Sequence, residues 1–160
     1  MQAIILAAGS GTRLHPFTKN KPKALINLAG VPLIEFTFNQ LLKTKANISE
    51  FILVVNYMQE KIKKYFGDSY NKIPIRYVKQ DKKLGTGHAL LMVEEFIKED
   101  FLMLYGDDLY SFKDIQKVLE NKNCMLLQKL EDVSNFGVVS VDGKGKVIDV
   151  IEKPTEAVDS

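Results

Sequence analysis

The sequence has 160 residues, 46% of them hydrophobic and 26% charged, a balance that excludes disordered and collagen-like chains and suffices for a globular domain with a real core. Its formal net charge of +2 hides an uneven split, because residues 1–34 hold four of the 22 Lys and Arg and none of the 20 acids. Basic charge confined to one stretch, neither spread along helices nor interleaved with aromatics, points to a small anion such as phosphate rather than to nucleic acid.

The first apolar run predicts a strand over residues 3–7. It has no basic region before it and is too short for a signal sequence or a membrane span, so a soluble, cytoplasmic protein without membrane contact is expected. A helix follows over residues 33–45, with Ile34, Phe38, Leu41 and Leu42 on one face and Pro32 at its first turn. The continuous apolar run of residues 51–55 reads as a buried strand, residues 59–66 as a short helix and residues 75–78 as another strand. Residues 86–97 predict a helix with Leu90, Val93 and Ile97 on one side, and residues 101–105 a further buried strand. Repeated strand, helix and strand mark a mainly parallel sheet covered by helices on both faces, an α/β fold.

Beyond a helix over residues 112–120 the pattern changes to strands over 125–130, 137–141 and 146–151. Asp142-Gly143-Lys144-Gly145 joins the last two as a hairpin turn. Cys124 is the single cysteine, which rules out an internal disulfide; beside Met125-Leu126-Leu127 it is expected to pack in a buried strand.

Open parallel sheets bind ligands beyond the carboxyl ends of their strands, and three loops lie at such ends. After the first strand, Gly9-Ser10-Gly11 removes side-chain bulk where backbone amides approach an anion, and Arg13 offers a planar fork to phosphate oxygens. This is no P-loop, because the Lys-Ser/Thr ending is missing, and no dinucleotide fingerprint, because the third glycine is. The spacing around Ser10 is not that of a nucleophile elbow. Asp107 and Asp108 follow an apolar strand and suit Mg²⁺, which takes one or two carboxylates and completes its shell with water and phosphates. Gln80 with Gly85-Thr86-Gly87-His88 suits a base pocket, since an amide both donates and accepts and glycines let the backbone close. Helix capping and packing compete as roles for Thr86 and His88. His15, beside Pro16, reads as structural, and neither histidine has the partners of a zinc site.

Together these stretches resemble the sugar-1-phosphate nucleotidyltransferases, or nucleotide-sugar pyrophosphorylases, over nearly the whole chain. The likeness rests on Leu6-Ala7-Ala8-Gly9-Ser10-Gly11-Thr12-Arg13-Leu14 with Pro16, Thr18 and Lys21-Pro22-Lys23-Ala24-Leu25, and on Ala29-Gly30-Val31-Pro32-Leu33-Ile34. Gln80 with Gly85-Thr86-Gly87-His88-Ala89 looks most like the uridylyltransferase branch, with the thymidylyltransferases close by. Tyr105-Gly106-Asp107, Phe136-Gly137-Val138-Val139 and Ile151-Glu152-Lys153-Pro154 complete the pattern.

The resemblance implies a Rossmann-like, glycosyltransferase-A-like sheet with a C-terminal β-hairpin. It implies transfer of a nucleotidyl group from UTP or dTTP to glucose 1-phosphate or N-acetylglucosamine 1-phosphate, with release of pyrophosphate and with Mg²⁺ as cofactor. Arg13 and Lys23 are then the catalytic cations; Leu6, Ala8, Gly9, Gly11, Thr12, Gln80, Gly85 and Thr86 bind the nucleotide; Gly137 and Glu152 bind the sugar; and Asp107 binds the metal. Lys19 and Lys21 become a basic rim. Residues 1–160 read as one nucleotidyltransferase domain that lacks the family's C-terminal part. A non-catalytic nucleotide-binding or regulatory module stays open as an alternative, and so does a homo-oligomer. A dinucleotide-dependent oxidoreductase is disfavoured, because the third glycine and the ribose-binding acid are missing.

Overall fold

The computed structural model describes residues 1–82, 84–134 and 136–152. The chain divides into two compact units, Met1–Asn121 and Lys122–Ser160.

In the first unit the strands are β1 (Gln2–Ala7), β2 (Asn27–Leu28), β3 (Val31–Pro32), β4 (Glu50–Val55), β5 (Ser69–Tyr70), β6 (Ile73–Lys79) and β7 (Phe101–Tyr105). The helices are α1 (Leu33–Lys43), α2 (Gln59–Phe66), α3 (Gly85–Leu91) and α4 (Phe112–Leu119). Five strands form one sheet in the order β5-β6-β4-β1-β7. All its pairings are parallel except β5 with β6.

Alternation along the central strands divides the core into two layers. Ala3, Ile5 and Ala7 of β1, with Phe51, Leu53 and Val55 of β4, face Ile34, Phe38 and Leu41 of α1, Ile62 of α2 and Ile115 of α4. The intervening Ile4, Ile52 and Val54 face Ala89 of α3 and Val93. The expected Rossmann-like sheet with helices on both faces is therefore present. Phe38 anchors the first layer, with its ring centroid 4.5 Å from Phe51 and 5.1 Å from Phe66.

The predicted strands and helices of this unit are found, with boundaries moved by one or two residues except at α3. That helix ends at Leu91, and residues 94–96 form a separate 3₁₀ turn. The reason lies in the buried Gln2, whose amide donates to the Phe96 carbonyl and accepts from the Lys98 amide, each at 2.9 Å. A tightened backbone delivers both groups to it. Between β2 and β3, Ala29 and Gly30 have φ of 50° and 86°, the positive pair that a type I′ turn requires.

The second unit contains the antiparallel hairpin β8 (Gly137–Val141) and β9 (Val147–Glu152). Asp142 fastens its turn, accepting from the amides of Lys144 and Lys146 at 2.9 Å. Residues 125–130 correct the sequence reading: they form no strand, and Met125, Leu126, Leu127 and Leu130 are exposed. Cys124 is likewise exposed rather than packed in a strand. A run of Met and Leu becomes strand only where another strand takes up its backbone hydrogen bonds, and among the described residues none pairs with it. No helix among the described residues is long and apolar enough to cross a membrane.

Candidate active site

A cavity of about 370 Å³ opens where β1, β6 and β7 end, lined by Leu6, Ala8, Gly9, Lys23, Gln80, Gly85, Thr86 and Asp107 together with Tyr105 and its neighbours. Such a volume lies in the range typical of small-molecule sites.

Beyond β1 the backbone is bare at Gly9, where an added Cβ would meet nothing within 4 Å. Gly11 serves a different purpose. Its φ is +64°, and a Cβ there would lie 2.8 Å from Thr18 Cγ2 and 3.0 Å from Lys23 Cβ. Thr18, fully buried, donates its hydroxyl to the Gly11 carbonyl at 2.7 Å. The glycine lets the loop close on the base of the lysine side chain and so fixes where Lys23 starts. Gly11, Thr12 and Arg13 are not part of the cavity wall; they form the start of the 3₁₀ turn Thr12–Leu14, on which Arg13 is exposed.

Lys23 Nζ donates to Asp107 Oδ2 in a partly exposed ion pair. The two candidate residues for phosphate and metal thus meet at one point, from loops 84 residues apart. Gly106 makes this approach available: its amide donates to the Leu6 carbonyl at 2.8 Å, and a Cβ would stand 3.1 Å from that same oxygen. The residue after it is held against the end of β1.

Asp107 engages Lys23 through one oxygen and leaves the other for a hard cation, and Asp108 supplies a second carboxylate beside it. That donor set fits Mg²⁺; no cluster of three or more metal-ligating side chains occurs among the described residues. Partial burial, and next the charge of Asp107, push the Asp108 carboxyl above its ordinary range, against the hydrogen bond from Tyr110. The half-buried Tyr110 is itself pushed up to about 12, chiefly by burial. Its hydroxyl accepts from the Tyr105 amide at 3.0 Å and so ties the aspartate turn to the end of β7. Nothing in the sequence pattern singles out Tyr110. Tyr105 could have been found from its place directly before Gly106-Asp107; its hydroxyl lies 3.2 Å from Thr86 Oγ1 across the cavity.

Gln80 is buried, and its Nε2 lies 3.1 Å from both the Gly85 carbonyl and His88 Nδ1. Its donor is therefore already engaged, whereas the sequence reading left both poles of the amide to a base. Thr86 lies inside α3, after the Leu84 cap position, and makes no capping hydrogen bond.

In the second unit Gly137 and Glu152 are direct partners across the hairpin, and a Cβ on Gly137 would stand 3.2 Å from Glu152 Oε2. The Lys153-Pro154 part of that motif lies outside the described residues.

Residues 2–160 match the family model described as Nucleotidyl transferase. The chain is 42% identical over 154 residues to a bifunctional protein GlmU of Methanococcus maripaludis, covering 96% of this chain and 36% of that protein. It is 37% identical over 163 residues to the UTP–glucose-1-phosphate uridylyltransferase AglF of Haloferax volcanii, covering 98% of this chain and 66% of that protein. The crystal structure of a putative glucose-1-phosphate thymidylyltransferase from Bacillus anthracis, in complex with a sucrose, superposes with a TM-score of 0.83 at 28% identity, over 98% of this chain and 65% of that one. The chain thus spans about a third of the length of the GlmU relatives it matches.

Proposed function

The chain belongs to the nucleotidyl transferase family, and on that premise we propose that it carries the nucleotide-binding part of a sugar-1-phosphate nucleotidyltransferase. UTP or dTTP is the donor, and glucose 1-phosphate or N-acetylglucosamine 1-phosphate the acceptor. The observation that carries this reading is the cavity that assembles bare backbone at Gly9, the Lys23–Asp107 pair and the Gln80 amide at the strand ends.

In this reading an anionic oxygen of the sugar phosphate attacks the α-phosphorus in line, the bond to the leaving pyrophosphate breaks, and no general base is required. Catalysis reduces to positioning and charge neutralisation. Gly9 and its neighbours give the triphosphate room to lie against backbone, Lys23 neutralises its charge, and the exposed Arg13 closes on the leaving end. Leu6 and Ala8 line that nucleotide side, and Gly11 and Thr12 stand outside the cavity wall in the turn that carries Arg13. Asp107 would hold Mg²⁺, which when bound supplies a Lewis acid and clamp on phosphate oxygens. Gly137 and Glu152 would receive the sugar, a carboxylate being a natural acceptor for its hydroxyls.

The test is incorporation of labelled pyrophosphate into UTP in the presence of sugar 1-phosphate and Mg²⁺. Exchange that depends on both supports the reading. Tight binding of UTP without exchange for any common sugar phosphate reduces the chain to a nucleotide-binding module.

A further inference from the structure

The loop between β1 and β2 carries Arg13 on its outgoing arm and Lys23 on its return, and the place where it turns back is fastened to the rest of the fold. Tight turns build it: the amides of Leu14, Phe17 and Lys19 donate to the carbonyls of Gly11, Leu14 and Pro16 at 2.9, 2.9 and 3.1 Å. Directly after the last of these turns, two consecutive carbonyls are taken from outside. The Tyr57 hydroxyl donates to the Lys19 carbonyl at 3.1 Å, and Lys61 Nζ donates to the Asn20 carbonyl. Among the described residues, no other hydrogen bond from beyond the loop reaches the backbone of residues 12–21.

Both donors stand on rigid ground. Tyr57 follows β4, whose Phe51–Val55 are fully buried, and Lys61 directly precedes Ile62 of α2, which is fully buried in the same core layer. Between the donors Met58 has φ of 52°, left-handed backbone that a bulky residue seldom adopts. That kink turns strand into helix across three residues, and the two donors end on neighbouring carbonyls. The choice of acceptor also suits the loop. Residues 1–34 contain no acid, and fastening through neutral carbonyls spends none of the loop's positive charge.

We propose that Tyr57 and Lys61 are positioning residues for the triphosphate: by clamping the tip of the loop, they fix the two arms from which Arg13 and Lys23 reach the phosphates. This deepens the reading above and rests on it, since it takes the loop to grip phosphate. A cation on a mobile loop must be ordered when the anion arrives, and that entropy is subtracted from affinity. A loop already held at its tip loses less. The tether therefore acts on the phosphate end of the ligand and leaves the nucleoside end alone.

The experiment measures binding of UTP and of uridine to the 160-residue chain, with Mg²⁺ present, for wild type, Tyr57→Phe, Lys61→Met, the double variant, Lys61→Arg and Lys64→Met. Tyr57→Phe removes a donor without touching charge, and Lys64→Met removes a charge from the same helix without touching the tether. UTP affinity should fall about threefold in each single tether variant and about tenfold in the double, the scale of one and two lost hydrogen bonds. Uridine affinity should stay unchanged, Lys61→Arg should restore most of the loss at that position, and Lys64→Met should have little effect. Amide exchange at Phe17 and Lys19 should quicken in the double variant while that of β4 does not.

Unchanged UTP affinity in the double variant overturns the proposal. So does an equal fall for UTP and uridine, which would make the two residues supports of the fold at large. Equal losses in Lys61→Met and Lys64→Met, with none in Tyr57→Phe, overturn it in favour of general charge attraction. A wild type that binds UTP no better than uridine overturns the phosphate reading of the loop and the proposal with it. Protected β4 amides report that each variant folds, and should the double variant lose them, Tyr57→Phe alone decides by the same two affinities.

Discussion

Strands β4 and β9 are both apolar runs, Phe51-Ile52-Leu53-Val54-Val55 and Val147-Ile148-Asp149-Val150-Ile151, yet they meet opposite fates. Phe51–Val55 of β4 are fully buried, while every residue of β9 is exposed. β4 has a hydrogen-bonded neighbour on each edge and side chains from helices on each face. β9 has only β8. An apolar run states a demand for partners; burial is the answer, and it comes from the rest of the fold.

That contrast predicts very unequal costs. Phe38→Ala removes the ring that joins Phe51, Phe66 and Tyr70, and should destabilise the first unit by about 3–5 kcal/mol, as large aromatic truncations in cores do. Ile148→Ala, at a position 68% exposed, should change stability by no more than about 0.5 kcal/mol. Urea unfolding curves check both. A cost of several kcal/mol at Ile148 would show that the hairpin's apolar side is covered and would remove the contrast.

Within the first unit the same reasoning separates cations that are placed from cations that merely surround. Lys23 is fixed at its base by Gly11 and Thr18 and at its tip by Asp107, whereas Lys19 is exposed and contributes its carbonyl, which accepts from Tyr57. Lys23→Ala should lower nucleotidyl transfer by about 10²–10³-fold, the scale set by loss of one preorganised charge-stabilising donor. Lys19→Ala should cost less than about threefold, as an exposed charge does. Steady-state rates under matched conditions test this, and equal losses would reduce the loop to a general basic surface.

Much of this was legible in the sequence because residue patterning reports the layers directly: the continuous apolar runs of β1 and β4, buried on both faces, and the one-sided face of α1 need no knowledge of the partner. The loops were legible because glycines and charges stood at strand ends, and the cavity gathers Gly9, Lys23, Gln80 and Asp107 as expected. Three things were hidden. The 125–130 run reads as strand because residue type is silent on who pairs with it. Tyr110 is reached only through the Tyr105 amide, a contact that exists in three dimensions and leaves no spacing signal. The orientation of the Gln80 amide follows from the Gly85 carbonyl, 3.1 Å from Nε2, and no residue pattern distinguishes one end of an amide from the other.

The least disruptive way to set the two units against each other is alkaline pH, because residues 122–160 contain no tyrosine. Burial, foremost, pushes both Tyr70 and Tyr77 up from 10.0 to about 12. Tyr70 sits between Glu35 and Asn39, and Tyr77 donates to the Gly67 carbonyl, which follows α2, at 2.6 Å. In the unfolded chain these phenols return to about 10. Between the two values the unfolded state gives up protons that the folded state keeps, so folding stability must fall as pH rises. The contribution is fully present below about pH 10 and is lost as pH rises through about 12. Urea midpoints of the first unit should therefore decline across that window, while hairpin signals from β8 and β9 follow no tyrosine titration of their own. Substituting both residues with Phe should lessen the decline, since two of the groups that release protons are gone although the rings still pack, and Tyr110, likewise pushed up to about 12, carries what remains. An unchanged slope in that double variant would assign the alkaline loss to other groups and leave Tyr70 and Tyr77 as packing residues alone.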